Sequence, residues 1–191
     1  MGVRFAGIAD VRRFVLVTVG VGMCLGSLSL FMVAFAERHA QLAAVAWAEA
    51  ALAAGSAVGG LTYGAVSWRL KLESRLPLLA TGLALSLAAA GFAPDIGVLS
   101  VLGGIAGLFL APALTTAYML ADEAAAAGAK TQASAWVNTA FNTGSAAGSA
   151  YAGLLIERLA LVACFAIGAL PPVLGALAGH PPTPHRPPQG T

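Results

Sequence analysis

Long apolar stretches recur along the chain, at residues 14–36, about 41–66, 77–93, 96–121, 131–155 and 159–178. Wound as a helix, the first would extend about 34 Å at 1.5 Å per residue, enough to cross the hydrocarbon core of a bilayer. Such runs need a lipid-like solvent, because only 9% of the 191 residues are charged and the mean hydropathy is +0.84. A soluble domain carries about 25% charged residues to cover its surface. Arg12 and Arg13 precede the first run in the manner of a signal peptide. The run is much longer than the roughly 7–15 apolar residues of such a leader, so it reads as a retained span. The sixth run is the weakest, since Pro171 and Pro172 interrupt it and require a kink there. Without it the count falls to five.

The links between runs are short and carry turn and charge signals: Glu37 to His39, Ser67 to Arg75, Pro94 and Asp95, Asp122 to Lys130, Glu157 and Arg158. Short links make sequential helices antiparallel neighbours. Cations concentrate on the cytoplasmic side of membrane proteins. A cytoplasmic N-terminus puts Arg4, Arg12, Arg13, Arg69, Lys71, Arg75, Lys130 and Arg186 inside, and only Arg38 and Arg158 outside. The reading is therefore a cytoplasmic segment over 1–13, a six-helix bundle over 14–179, and a disordered proline-rich cytoplasmic tail over 180–191. The protein is expected in the plasma (inner) membrane, spanning it several times.

Net charge is only +2 and scattered, which excludes a nucleic-acid footprint. Cys24 and Cys164 lie inside apolar runs and read as small buried hydrophobes. No metal cluster, phosphate-binding loop or paired intramembrane carboxylates occur, and His39, His180 and His185 all fall in links or the tail. No cofactor and no catalysis are expected.

Helices in lipid associate by close backbone approach, which small residues four apart permit. Gly22 and Gly26 have this spacing, as do Gly55 and Gly59, Gly60 and Gly64, Gly103 and Gly107, and Gly144 and Gly148. The second and fifth runs are the richest, so the chain reads as two triplets whose middle helix carries the tightest packing face, an echo of the repeats in many transporters. A general abundance of Gly and Ala in membrane helices also accounts for any single pair.

Three stretches carry a family resemblance: Leu110-Ala-Pro-Ala-Leu-Thr-Thr-Ala-Tyr-Met-Leu, Thr131-Gln-Ala-Ser-Ala-Trp-Val-Asn-Thr-Ala-Phe-Asn-Thr-Gly-Ser-Ala-Ala-Gly-Ser-Ala-Tyr-Ala-Gly, and the loop Gly60-Leu-Thr-Tyr-Gly-Ala-Val-Ser-Trp-Arg69. From Arg12 to Gly179 the chain resembles the carboxy-terminal half of a major facilitator superfamily transporter of actinobacterial drug-efflux-like type. The resemblance implies an all-α fold of six transmembrane helices in two inverted three-helix repeats. It also implies one cavity wall of a proton-coupled exporter of small organic molecules, working by alternating access against a second half or a second copy of the chain. Spans one and four would line the cavity, three and six would face lipid, and two and five would meet the other half through Gly55, Gly59, Gly144 and Gly148. The loop departs from the family pattern at Gly64, where an aspartate is usual, which weakens a gating salt bridge there. The competing reading is a truncated, non-transporting fragment or a helix-packing interaction protein.

Glu49 is the one ionisable residue well inside a run, where a charge costs at least about 2.5–3.5 kcal/mol. It is the proton-coupling candidate; a helix beginning near Ala44 would instead leave it in the headgroup zone. Asn138 and Asn142 share a face of the fifth run, and their amides call for bonds across helices or to substrate. Thr115 and Tyr118, beyond the bend at Pro112, offer hydroxyls to a cavity, although Thr115 can bond its own helix. Trp47, Trp68 and Trp136 read as interfacial anchors, and Asp122 and Glu123 as a solvated loop.

Overall fold

The computed structural model describes residues 8–125 and 129–178, and every regular element among them is helical. The helices are α1 (Ile8–Arg38), α2 (Val45–Ala65, entered through a 3-10 turn at Leu42–Ala44), α3 (Leu72–Ala90), α4 (Ile96–Ala124), α5 (Lys130–Ile156), α6 (Leu161–Gly168) and α7 (Leu170–Ala178). The expected tail over 180–191 lies outside the described residues, as do Arg4 and Arg186.

Three stretches, Val15–Arg38, Leu42–Ala65 and Ile96–Ala124, are long and apolar enough to cross a membrane. The other runs fold as helices of different character. Helix α3 starts at Leu72 rather than Pro77, so its first turn carries Glu73. Helix α5 has ample length at 27 residues, but its Thr, Asn and Ser content lowers its apolarity. The sixth run is broken at Ala169, with Pro171 and Pro172 in the first turn of α7, where the missing N–H groups cost least. Helix α1 also reaches back to Ile8, inside the segment expected to precede the bundle.

Helix ends follow local chemistry. Asp95 caps α4, its carboxylate accepting from the Val98 N–H at 2.9 Å. At the end of α1, the Gln41 N–H bonds the Ala36 carbonyl at 2.9 Å and Ala40 sits at φ 53°. This left-handed closure favours glycine, yet here holds alanine.

Two glycine seams hold the bundle. Gly22 and Gly26 of α1 lie against the Phe141 and Ser145 carbonyls, while Gly144 and Gly148 of α5 lie against the Val19 and Met23 carbonyls. Four residues along one helix match four along the other, so α1 and α5 run parallel. Helices α2 and α4 are likewise parallel, with Gly55 against the Gly104 carbonyl, Gly59 against the Leu108 carbonyl and Gly107 against the Leu52 carbonyl. Each middle helix thus packs on the first helix of the other triplet. The half-to-half role expected of Gly55, Gly59, Gly144 and Gly148 is corrected accordingly: a Cβ at each would strike backbone of this same chain. The Gly60 and Gly64 pair is no seam, since nothing lies within 4 Å of a Cβ at Gly64.

The core centres on α1, with Phe31, Met32 and Cys24 at 0% exposure. Phe31 meets Phe165 at 4.9 Å between ring centres. Both cysteines are buried and free. Outside, Trp47, Leu61, Leu85, Phe92 and Leu154 are all more than half exposed, a spread of large apolar side chains that suits acyl chains rather than water.

Candidate functional site

The candidate site is built on α4 and α5, antiparallel neighbours joined by a short link that an exposed Lys130–Asp122 ion pair of 3.7 Å spans. Thr115 lies about 14 Å before the end of α4, and Asn138 and Asn142 about 12 and 18 Å after the start of α5, at 1.5 Å per residue. They therefore stand at matching heights. Thr115, Asn138, Thr139, Asn142 and Thr143 are exposed and Tyr118 is half-buried, which gives α5 a polar outward stripe.

The two asparagines bond each other along one helix. The Asn142 amide donates to the Asn138 backbone carbonyl at 2.8 Å and to its side-chain oxygen at 3.0 Å. The bonding across helices expected of them is absent among the described residues, because their face turns away from α1, onto which the opposite, glycine face of α5 packs. Among the described residues neither the Asn138 amide nitrogen nor the Asn142 side-chain oxygen has a hydrogen-bond partner, and both residues are exposed. Thr115 donates to the Ala111 carbonyl at 2.9 Å, so its proton is used within α4 while its oxygen still accepts.

Glu49 stands apart from these residues. Helicity begins at Leu42–Val45, which leaves Glu49 half-buried about one turn into α2, some 6 Å along its axis. That start lies at the α1–α2 turn, the end of the bundle opposite the α4–α5 link.

A second polar cluster, unforeseen from sequence, closes the α2–α3 loop. The Arg75 guanidinium donates to the Leu70 carbonyl at 2.9 Å and the Trp68 carbonyl at 3.2 Å, and lies 5.6 Å from the centre of the Trp68 ring. Trp68 Nε1 donates to the Tyr63 carbonyl at 3.1 Å, and the two rings pack 5.0 Å apart. Trp68 is thus a loop clamp, whereas Trp47 and Trp136 are exposed in the manner of anchors. Tyr63 is buried, and its hydroxyl lies 2.7 Å from that of Thr116 on α4. Only the position of Tyr63 next to Gly64, in the loop that departs from the family pattern, hinted at this cluster.

The geometry is that of a membrane bundle with a neutral hydrogen-bonding face: Thr115 on α4 and Asn138, Thr139, Asn142 and Thr143 on α5 are exposed and uncharged. A family model, that of the Major Facilitator Superfamily, matches residues 12–191. The chain belongs to the Major Facilitator Superfamily. No curated protein and no solved structure matches it. As a member of this superfamily it is an integral membrane protein of a class that transports small substrates across the bilayer, in contact with lipid.

Proposed function

We propose that this major facilitator chain is one half of a proton-coupled exporter of small organic molecules. The half corresponds to the carboxy-terminal half of actinobacterial drug-efflux-like members, crosses the plasma membrane six times and keeps both termini in the cytoplasm. The observation that carries the reading is the outward amide pair Asn138 and Asn142, level with Thr115 on the neighbouring helix. Polar groups on an outer helix face are costly against lipid, so this face suits a water-filled cavity or a second half. Helix pairing also supports an inverted repeat. Helix α1 packs on α5 and on α6 and α7, as α4 packs on α2 and on α3, which is the exchange expected if each triplet repeats the other.

In this mechanism one half rocks against the other around a midplane site. Asn138, Asn142, Thr115 and Tyr118 supply neutral hydrogen bonds to substrate, while apolar surface supplies the remaining affinity. Glu49, half-buried one turn into α2 and so toward the headgroup end of that helix, is the group assigned to the coupling proton, each charge crossing the membrane being worth about 2.3 kcal/mol per 100 mV.

The test is flux in proteoliposomes holding the chain with its second half, or as two copies, with and without a proton gradient. Gradient-dependent export of small organic cations or neutral drugs is expected; absence of flux in both arrangements overturns the reading. Glu49→Gln should leave passive exchange intact and abolish gradient dependence, and unchanged coupling ends that assignment.

A further inference from the structure

The α2–α3 loop carries a device that stands independently of the transport reading. Thr116 is fully buried and donates to the Pro112 carbonyl at 2.7 Å, which uses its single hydroxyl proton. The short Tyr63–Thr116 contact therefore has Tyr63 as donor and Thr116 as acceptor. The Tyr63 oxygen is left as an acceptor, and Arg75 Nη1 approaches it at 3.5 Å. The hydrogen bonds run one way, from Arg75 to Tyr63 to Thr116 to the Pro112 carbonyl. A cation at the head of such a chain polarises each hydroxyl toward the next.

We infer that Arg75, Trp68, Tyr63 and Thr116 form a charge-primed clasp that locks the α2–α3 loop onto α4 at the turn holding Pro112, without any carboxylate. Three features place the clasp where it governs movement. Arg75 opens α3, Trp68 and Leu70 belong to the loop, and Tyr63 closes α2, so one guanidinium gathers three consecutive elements. Pro112 has no N–H for the Leu108 carbonyl, and that carbonyl instead lies against Gly59 of α2, so α4 is seated on α2 both at its weakened turn and one turn beyond it. Thr115 adjoins Thr116, so release of the clasp reaches the exposed face of α4 directly. Among the described residues no acidic group pairs with Arg75; carbonyl oxygens and the indole face do the work a carboxylate would otherwise do.

The experiment follows the loop rather than flux, so its outcome is separate from that of the transport assay. Purified full chain in detergent is digested with trypsin, and cleavage after the exposed Arg69 and Lys71 is timed. Tyr63→Phe and Thr116→Val keep shape and remove one link each; Arg75→Gln removes the head. Each should speed cleavage roughly two- to tenfold, the span expected for loss of one buried hydrogen bond, with helical content unchanged by circular dichroism. Arg75→Lys keeps the charge but not the fork that reaches two carbonyls, and should fall between wild type and Arg75→Gln. Equal rates in all variants overturn the clasp, and faster cleavage with Tyr63→Phe but not Thr116→Val overturns its continuation to α4. As a reporter on α4, Thr115→Cys is labelled with a maleimide, Cys24 and Cys164 being buried. Adding Tyr63→Phe should raise the labelling rate, and an unchanged rate overturns the coupling to α4.

Discussion

Ser27 of α1 and Ser149 of α5 bond reciprocally: the Ser27 hydroxyl donates to the Gly148 carbonyl at 3.1 Å and the Ser149 hydroxyl to the Gly26 carbonyl at 3.2 Å. Each serine follows the glycine whose carbonyl the other uses. The glycines bring the backbones together, and the hydroxyls then bond across the gap they leave. Such bonds in membrane helices average about 0.6 kcal/mol, with a maximum near 1.7. Ser27→Ala and Ser149→Ala should each lower unfolding stability in detergent by about that amount. The double variant should lose close to the sum, because the two bonds share no atom.

The glycine seams predict a sharp contrast between positions. Gly148→Ala and Gly55→Ala place a methyl group against the Met23 and Gly104 carbonyls. Forcing the helices apart should cost about 1–3 kcal/mol. Gly64→Ala meets nothing within 4 Å and should be neutral or slightly stabilising, since alanine favours helix more than glycine. Thermal melts of the three variants in one detergent check this, and a large loss at Gly64 would contradict the packing.

At the α1 terminus Ala40 adopts φ 53°, a conformation costing a side-chain-bearing residue roughly 1–2 kcal/mol. Ala40→Gly should relieve that strain and raise the melting temperature, less the added flexibility of glycine in the unfolded chain. Asp95→Ala, which removes the α4 cap, should move stability the other way by about 1 kcal/mol.

The exposed amides lead to a prediction about binding rather than stability. Asn138→Ala and Asn142→Ala sit on an outward face with no partner on another helix among the described residues, so melting should change little. If they touch substrate, apparent affinity should weaken roughly two- to tenfold per lost bond. Equilibrium binding of a fluorescent substrate by the assembled transporter reads this, and wild-type affinity in both variants removes them from the site.

Particular residues show what was legible in advance. The break before Pro171 and Pro172, the α4 start at Asp95 and the inert burial of Cys24 and Cys164 follow from local chemistry, which the chain states directly. Glycines four apart mark close backbone approach at Gly22 and Gly26, Gly55 and Gly59, and Gly144 and Gly148, but not at Gly60 and Gly64. Which helix each glycine face meets is not legible, because the spacing marks a face for close approach without naming its partner: α2 is apolar or small on nearly all sides, and the polar stripe of α5 fits a cavity or a second half equally well. The clasp was invisible for a related reason. Tyr63 and Thr116 are 53 positions apart and meet only because α2 and α4 lie parallel in one register.

The sequence by itself determined a membrane protein of consecutive helices, where those helices stop, and which residues let backbones touch, since hydropathy, turn chemistry and the absence of a Cβ act within a few residues. Tertiary structure alone decided that α1 pairs with α5 and α2 with α4, that Asn138 and Asn142 look outward, and that Arg75 finds carbonyls in place of a carboxylate. Those outcomes depend on the rotation of each helix about its own axis, and that rotation is settled only when all the helices pack together.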